Sequence, residues 1–307
     1  MENILVSETR DPSTRKRALV LGGGGPVGRA WETGFVSKLV AEGVMLRSAD
    51  LIVGTSAGAI SGAQLALEIE LDLTAPVPPP GQSVAPPKPN GMALLVKAFA
   101  EASQSSSPEI QRQAIGRMAL DSPTPSEEQS IRRLDFLANQ EWPENLQATA
   151  VNVRTGESIV WHRGSGVPLV LAIASSCALP GVWPPITING DRYMDGGVRS
   201  ALNADRATGH DAVIVVSCSP LVLPAGVNNP DRETLNAGLN AEIAGLREHG
   251  AQVDVVTPSA AFLKLTEYGA RMLDVSLVPE AFQIGTRQAV QEALRIDAVW
   301  RRDRDLI

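Results

Sequence analysis

The chain has 307 residues, of which 44% are hydrophobic and 20% are charged, as in an average soluble globular protein. Its formal net charge of −7 argues against a nucleic-acid ligand, which needs a basic surface, and gives no help in reaching an anionic membrane. The two cysteines, Cys177 and Cys218, are too few for a disulfide framework or a metal cage, so we expect two buried free thiols.

Targeting and membrane signals are absent from this sequence. Residues 1–13 are polar and lack the apolar core of a secretory signal, and no stretch approaches the roughly 20 apolar residues that a membrane helix needs. We therefore expect a soluble cytoplasmic protein, built as a single domain over residues 1–307, with no cofactor and no metal ion. The sequence gives no indication of the oligomeric state.

Two strand–turn–helix units open the chain. An apolar strand at 17–21 leads into Gly22 to Gly25, and Pro26 then favours a helix over 27–42. A second strand at 50–53 leads through a glycine-containing turn into a helix over 59–67. This alternation predicts an α/β fold with three layers, α/β/α, around a mostly parallel central sheet.

Residues 72–130 are expected to form a helical insertion that is rich in proline and serine. Seven prolines fall within 74–90, which is typical of an extended segment, and residues 91–140 are mostly helical in pattern. The composition does not decide whether this insertion is a lid or a surface excursion.

Regular structure resumes after the insertion, with a hairpin that turns at Asn189-Gly190. The predicted elements are strands at 147–153 and 157–161, a helix at 168–177, the hairpin at 186–194, a strand at 211–217, a helix at 232–249, a strand at 252–256 and a helix at 279–303.

The segment from Gly54 to Gly58 matches G-x-S-x-G between a predicted strand and a predicted helix. Such a turn forces Ser56 into a strained backbone and exposes its hydroxyl, and the flanking glycines let the chain pack closely. The following helix N-terminus favours an anion at this point. We therefore predict that Ser56 is a nucleophile, with a merely tight turn as the alternative.

A run of glycines follows the first strand. Gly23, Gly24 and Gly25 can present backbone N–H groups to an oxyanion, and Gly28 closes the loop. The same residues satisfy G-x-G-x-x-G, so a dinucleotide site is a real alternative. That alternative expects an acidic residue at the tip of the second strand, which here ends without one.

Three histidines, His162, His210 and His249, lie in undistinguished settings, and we expect surface or capping roles for them. Asp195 is a better partner for a serine. It ends a predicted strand and is followed by Gly196 and Gly197, which let another backbone approach closely or permit positive φ. An ordinary Asp-Gly turn is the alternative.

These three motifs, in this order, resemble the patatin-like phospholipase family. The block at 174–185 also looks like that family's segment ahead of its aspartate, so the resemblance spans about 17–198. It implies a patatin-like fold and a lipid acyl hydrolase in which Ser56 and Asp195 form a dyad without histidine. Gly23, Gly24 and Gly25 would form the oxyanion hole, with Gly28, Gly54, Gly58, Gly196 and Gly197 as supporting residues.

One position departs from the family pattern. The glycine loop usually carries Arg or Lys just before its last glycine, whereas this chain has Val27 there and Arg29 just after Gly28. Arg29 is a candidate substitute. The resemblance implies a lipid or other acyl-ester substrate, with a transient contact at a membrane surface and no nucleic-acid partner. A nucleotide-binding protein and a non-catalytic lipid-binding protein remain the alternatives.

Overall fold

A computed structural model describes residues 15–71, 98, 107–222 and 230–301. Residues 72–97 and 99–106, most of the predicted insertion and its proline-rich part, lie outside the described residues. Within the described part, eight strands form one sheet and helices cover both of its faces. The strands are β1 (Arg17–Leu21), β2 (Leu51–Gly54), β3 (Leu146–Asn152), β4 (Ser158–Trp161), β5 (Ile186–Ile188), β6 (Asp191–Asp195), β7 (Ala212–Val216) and β8 (Gln252–Val256).

The described helices follow the strands in the alternating manner that the sequence predicts. They are α1 (Gly25–Ala41), α2 (Ala57–Ala66), α3 (Pro108–Asp121), α4 (Glu127–Arg132), α5 (Leu169–Ser176), α6 (Pro230–Glu248), α7 (Ala260–Leu265) and α8 (Val278–Trp300). None of these described helices is both long enough and apolar enough to cross a lipid bilayer.

The centre of the sheet is parallel. Strands β3, β2, β1, β7 and β8 lie side by side in that order and run in one direction. Strands β4 and β6 run antiparallel to β3, and β5 pairs with β6 as a hairpin. Parallel strands need crossover connections, and the helices between them provide these. The predicted mostly parallel sheet is confirmed.

Alternation along β1 assigns its side chains to two separate cores. Leu19 and Leu21 pack with α1, α2, α5 and α8, whereas Ala18 and Val20 pack with α6 on the opposite face. Because successive strand residues point to opposite faces, a strand that is apolar throughout needs helices on both sides. The three-layer α/β/α architecture is therefore confirmed.

The hairpin between β5 and β6 turns as its sequence predicts. Asn189 has φ 51° and Gly190 has φ 86°. Positive φ at both central residues defines the turn whose twist matches a hairpin, and Asn-Gly is its preferred sequence. The turn leads directly into β6, which ends at Asp195.

Candidate active site

Ser56 lies in a sharp turn between β2 and α2, with φ 54° and ψ −117°. Positive φ is strained for a residue with a Cβ, and such strain persists only where surrounding contacts impose it. Gly54 and Gly58 supply those contacts: a Cβ at Gly54 would overlap Ala59, and a Cβ at Gly58 would overlap the Leu21 carbonyl. The chain therefore folds as the strained elbow that the G-x-S-x-G motif predicts.

Two neighbours from the end of α5 hold the Ser56 backbone. The Ser56 N–H donates to Ser176 Oγ at 2.9 Å, and the Cys177 thiol donates to the Ser56 carbonyl at 3.1 Å. Both neighbours are buried, and Cys177 and Cys218 are free thiols, as predicted. The contact of Ser176 was not predicted from the sequence, although the family-like block at 174–185 contains this residue.

Strand β3 brings Asp195 to the elbow. Ala148 pairs with Gly54 and with Trp161, and Ala150 pairs with Ile159 and with Asp195. A strand has two edges, so β2 and β6 share one edge of β3 while β4 occupies the other. The carboxyl ends of β2 and β6 therefore point toward each other along β3. Asp195 pairs with Ala150, two residues beyond the partner of Gly54, and Ser56 likewise lies two residues beyond Gly54.

The carboxyl group of Asp195 is buried, with only 1% of the residue exposed. Its Oδ1 accepts the Gly197 N–H at 2.7 Å, whereas Oδ2 has no hydrogen-bond partner of normal geometry among the described residues. Burial raises the pKa of Asp195 to about 7, although the nearby Ser56 hydroxyl and the Gly197 N–H both lower it. One carboxylate oxygen is thus held and the other is left for a proton.

The two glycines after Asp195 allow this approach. A Cβ at Gly196 would overlap Thr149 on β3, so the aspartate loop packs against the strand at a distance that only glycine permits. Gly197 supplies the N–H that holds Oδ1. Of the two roles that the sequence suggests for these glycines, Gly196 shows the close approach to another backbone, and neither glycine has a positive φ.

The glycine loop lies beside the serine, but one of its amides is already engaged. A Cβ at Gly23 would lie 3.4 Å from Ser56 Cβ, which places this glycine against the elbow. The Gly23 N–H, however, donates to the Ala201 carbonyl at 2.8 Å. The prediction that Gly23 supplies an oxyanion donor is therefore wrong, because a partner distant in the sequence uses its only hydrogen.

The amides of Gly24 and Gly25 remain candidate oxyanion donors, and the amide of Ala57 is a new one. Among the described residues, the N–H groups of Gly24, Gly25 and Ala57 have no acceptor. Gly24 and Gly25 start α1 and Ala57 starts α2, so two helix N-termini meet at the site. First-turn amides lack intrahelical partners and carry positive partial charge, which suits an anion.

Cys218, which follows β7, packs beneath the loop. A Cβ at Gly24 would come within 2.5 Å of Cys218 Cβ, and one at Gly28 within 3.1 Å of the same atom. These glycines therefore allow the loop to lie directly on the sheet. Gly28, the last glycine of the G-x-G-x-x-G pattern, thus has a packing role that does not depend on a nucleotide.

Arginine side chains surround this part of the site. Arg29, the candidate substitute, donates to Gln64 Oε1 on α2 at 3.0 Å. Arg133 lies over the Trp183 ring, with its Cζ 3.4 Å from the ring centroid. Burial lowers the pKa of Arg133 to about 10, with Cys177 opposing and the charge of Arg29 assisting this shift. Neither contact was evident from the sequence.

Glu32 on α1 is a buried acid beside the glycine loop. The Cys218 thiol lies 4.0 Å from its Oε2, and Oε1 has no partner of normal geometry among the described residues. Burial raises the pKa of Glu32 to about 8, against the lowering effects of Ser61, Arg29 and Gly22. Glu32 is therefore neutral at pH 7, and the sequence offered no signal for it.

Within the described part of the chain, the rings of the three histidines form their hydrogen bonds with nearby backbone. His162 caps the turn Arg163–Ser165, and His249 Nδ1 lies 2.7 Å from the Gly245 carbonyl. His210 Nδ1 lies 3.0 Å from the Ala207 carbonyl. His210 and His249 precede β7 and β8 and so lie at the amino ends of the parallel strands, whereas Ser56 follows the carboxyl end of β2. His162 follows β4, which pairs with β3 on the side away from β2. The predicted surface or capping roles agree with these contacts.

No group of three or more His, Cys, Asp or Glu side chains in the described part of the chain is arranged to hold a metal ion. The acidic residue that a dinucleotide site expects at the tip of the second strand is likewise not found there. Strand β2 ends at Gly54 and is followed by Thr55 and Ser56.

Residues 91–208 match the family model described as patatin-like phospholipase. This range includes Asp195 and its two glycines and begins after Ser56, whose motif was identified separately. The match confirms the resemblance found from the motifs. No curated protein matches the chain significantly.

Two solved structures are similar to this chain at low identity. VipD from Legionella pneumophila is 14% identical with a TM-score of 0.41, and the match covers 92% of this chain and 67% of VipD. The type III effector protein ExoU is 16% identical with a TM-score of 0.34, covering 91% of this chain and 54% of ExoU. This chain thus spans only about half of ExoU.

Proposed function

We propose that the chain is a serine acyl-ester hydrolase with Ser56 as nucleophile and Asp195 as general base; the match of residues 91–208 to the patatin-like phospholipase model supports this proposal. One observation carries the proposal. A strained serine follows the carboxyl end of β2, and the buried Asp195 ends β6, whose carboxyl end meets that of β2 along the same side of β3. The described histidine rings form their hydrogen bonds with nearby backbone, so Asp195 and not a histidine is proposed as the base.

In the first half-reaction, Ser56 Oγ attacks the ester carbonyl carbon while its proton passes to Asp195 Oδ2. The tetrahedral oxyanion accepts hydrogen bonds from the amides of Gly24, Gly25 and Ala57. Collapse of this intermediate breaks the bond to the leaving alcohol, which takes the proton from Asp195. The product is an acyl ester on Ser56.

In the second half-reaction, water attacks the acyl carbonyl and gives a proton to Asp195. Collapse breaks the bond to Ser56 Oγ, which recovers its proton from Asp195, and a carboxylic acid leaves. Every proton that is released is taken up at the same carboxyl oxygen, so the dyad returns to its starting state.

The raised pKa of Asp195 makes this exchange effective. A carboxylate with a pKa near 3.9 is a poor base for a serine hydroxyl, whereas one near 7 transfers protons efficiently at neutral pH. Removing one oxyanion donor in comparable sites costs roughly 10²–10³-fold in kcat. The amides at the two helix starts therefore supply much of the rate.

The description of the matched family supports a lipid acyl ester as the substrate class. Arg29 and Arg133 add positive charge near Cys177, which itself contacts the Ser56 carbonyl. Esters of graded chain length and head group will define the class.

The test measures hydrolysis of such a panel by wild-type protein and by Ser56→Ala and Asp195→Asn. We expect each variant to lower kcat by at least about 10³-fold, because both residues act in the same proton transfer. Ser37→Ala and Asp191→Asn are matched controls on α1 and at the start of β6, and we expect them to retain wild-type rates.

A variant in which all three histidines are replaced by alanine completes the experiment. We expect it to retain most of the activity and to label at Ser56 with an activated fluorophosphonate. Loss of hydrolysis in this variant would point instead to a triad with histidine. Undiminished hydrolysis by Ser56→Ala would refute the proposed function.

A further inference from the structure

Asn203 lies at the centre of a buried polar network behind the dyad. It is fully buried and adopts a left-handed conformation, with φ 52° and ψ 38°. Its Nδ2 lies 2.7 Å from the Ser200 carbonyl, 3.0 Å from Thr55 Oγ1, 3.2 Å from Thr149 Oγ1 and 3.4 Å from the Gly196 carbonyl. An amide nitrogen has two hydrogens, so these four acceptors share them.

Three of these partners belong to the segments that carry the dyad. Thr55 immediately precedes Ser56, and Gly196 immediately follows Asp195. Thr149 lies on β3, one residue before the residue that pairs with Asp195. The hydroxyls of Thr55 and Thr149 also contact each other at 2.9 Å. One side-chain amide therefore joins the strand end of the nucleophile, the loop of the base and the strand between them.

The orientation of this amide is fixed from its other side. Arg199 Nη1 donates to Asn203 Oδ1 at 2.7 Å, and arginine cannot accept a hydrogen bond, so the oxygen must face it. Asp205 holds the same guanidinium through contacts of 2.8 and 2.9 Å. The Asn203 N–H also donates to Ser200 Oγ at 2.9 Å. The NH₂ group is thus directed toward the dyad segments.

The residue type fits these demands. Asparagine is among the few non-glycine residues that occupy the left-handed region readily, and its amide both donates and accepts. A buried network in which each member is satisfied is rigid, whereas its partial loss leaves buried acceptors unpaired. Reacting groups need placement to within about 0.5 Å, which such a network can provide.

We infer that Asn203 is a positioning residue that sets the separation of the Ser56 hydroxyl and the Asp195 carboxyl through Thr55, Thr149 and Gly196. This inference rests on the proposed function. It assigns Asn203 no contact with substrate. Its effect is expected in the chemical step, since it acts on the geometry of the base and the nucleophile.

The test compares Asn203→Gly with Asn189→Gly. Both positions have positive φ, which glycine accepts, but Asn189 lies exposed in the hairpin turn outside the network. We expect Asn203→Gly to lower kcat by about 10- to 100-fold, as small misplacements do, with KM changed less than about threefold. Asn189→Gly should match wild type in both constants.

Two readouts separate positioning from a loss of folded protein. Rates are expressed per active site by fluorophosphonate titration, so a merely structural role would leave kcat unchanged. The pH midpoint of kcat should also rise in Asn203→Gly, because the Ser56 contact that lowers the Asp195 pKa is weakened. If Asn203→Gly does not fold, Thr55→Val removes one hydroxyl of the network at constant volume and should show the same two changes to a smaller degree.

The outcomes distinguish the two proposals. If wild-type protein hydrolyses esters through Ser56 but Asn203→Gly, or Thr55→Val in its place, keeps the wild-type kcat and pH midpoint, the positioning role is overturned. If wild-type protein shows neither Ser56-dependent hydrolysis nor fluorophosphonate labelling, the proposed function fails, and the positioning role fails with it.

Discussion

At the scale of single residues, the two carboxyl oxygens of Asp195 differ in their hydrogen bonds. Gly197 holds Oδ1, while Oδ2 is buried and has no hydrogen bond of normal geometry among the described residues. A buried acceptor without a partner is costly, and in a native protein it often marks a reactive group. In the proposed mechanism, Oδ2 is the atom that accepts the Ser56 proton.

The pH dependence of turnover follows from the Asp195 pKa of about 7. The base must be ionised, so we expect kcat to rise with pH through a midpoint near 7 and to level off above it. The measurement is kcat between pH 5 and 9 on an ester that does not titrate in this range. A midpoint near 4 would indicate that Asp195 is solvated and ionised like a surface carboxylate, contrary to its burial.

At the scale of secondary-structure elements, α1 carries the glycine loop and packs tightly on α8. A Cβ at Gly285 would overlap the Trp31 carbonyl, and one at Gly34 would overlap the Phe282 carbonyl. Trp31 also donates to Gln288 on α8 at 3.0 Å. The two helices thus approach at a distance set by glycine, and this contact supports the helix that starts at the oxyanion loop.

We expect Gly285→Ala to lower the free energy of unfolding by about 1–3 kcal/mol, because the added methyl group must push the helices apart. Gly238→Ala is the matched control on α6, where a Cβ meets nothing within 4 Å. It should raise stability by about 0.5–1 kcal/mol, since alanine favours a helix over glycine. Urea unfolding measures both, and equal effects of the two substitutions would contradict the close contact.

The sequence predicted these elements well where the signals were local. The elbow, the Asn-Gly hairpin and the strand–turn–helix alternation depend on residues within a few positions of one another. Their bounds shifted by only a few residues, as for α1, which begins at Gly25 rather than at 27. Helix α7 was missed, because six residues carry too little periodicity to be distinguished from a loop.

At the scale of the whole molecule, two buried acids oppose the stability of the fold at high pH. Burial raises the pKa of Glu32 to about 8 and that of Asp195 to about 7. The folded state therefore holds protons that the unfolded chain releases above pH of about 4. The stability that these two protonated acids contribute to the fold is fully present below that pH and is lost as the pH rises toward about 8.

We expect the free energy of unfolding to fall between pH of about 4 and pH of about 8, and Glu32→Gln to weaken that fall. Glutamine has no charge to bury, so the variant should gain stability relative to wild type at pH 8 but not at pH 4. Glu128→Gln, at an exposed position on α4, is the control and should leave the slope unchanged. Urea unfolding at several pH values measures this, and identical slopes for wild type and Glu32→Gln would contradict a buried neutral Glu32.

The sequence by itself determined the class of fold, the strained serine and the candidate base, because each is written in short motifs whose backbone demands are local. Only the tertiary structure decided that Ser56 and Asp195 meet, since that depends on the register of β3 against two other strands. It likewise decided that the Gly23 amide is occupied by Ala201, and that Asn203 and Glu32 are buried beside the site. Such partners lie far apart in the chain, and hydrogen bonds between distant segments leave no periodic trace in the sequence.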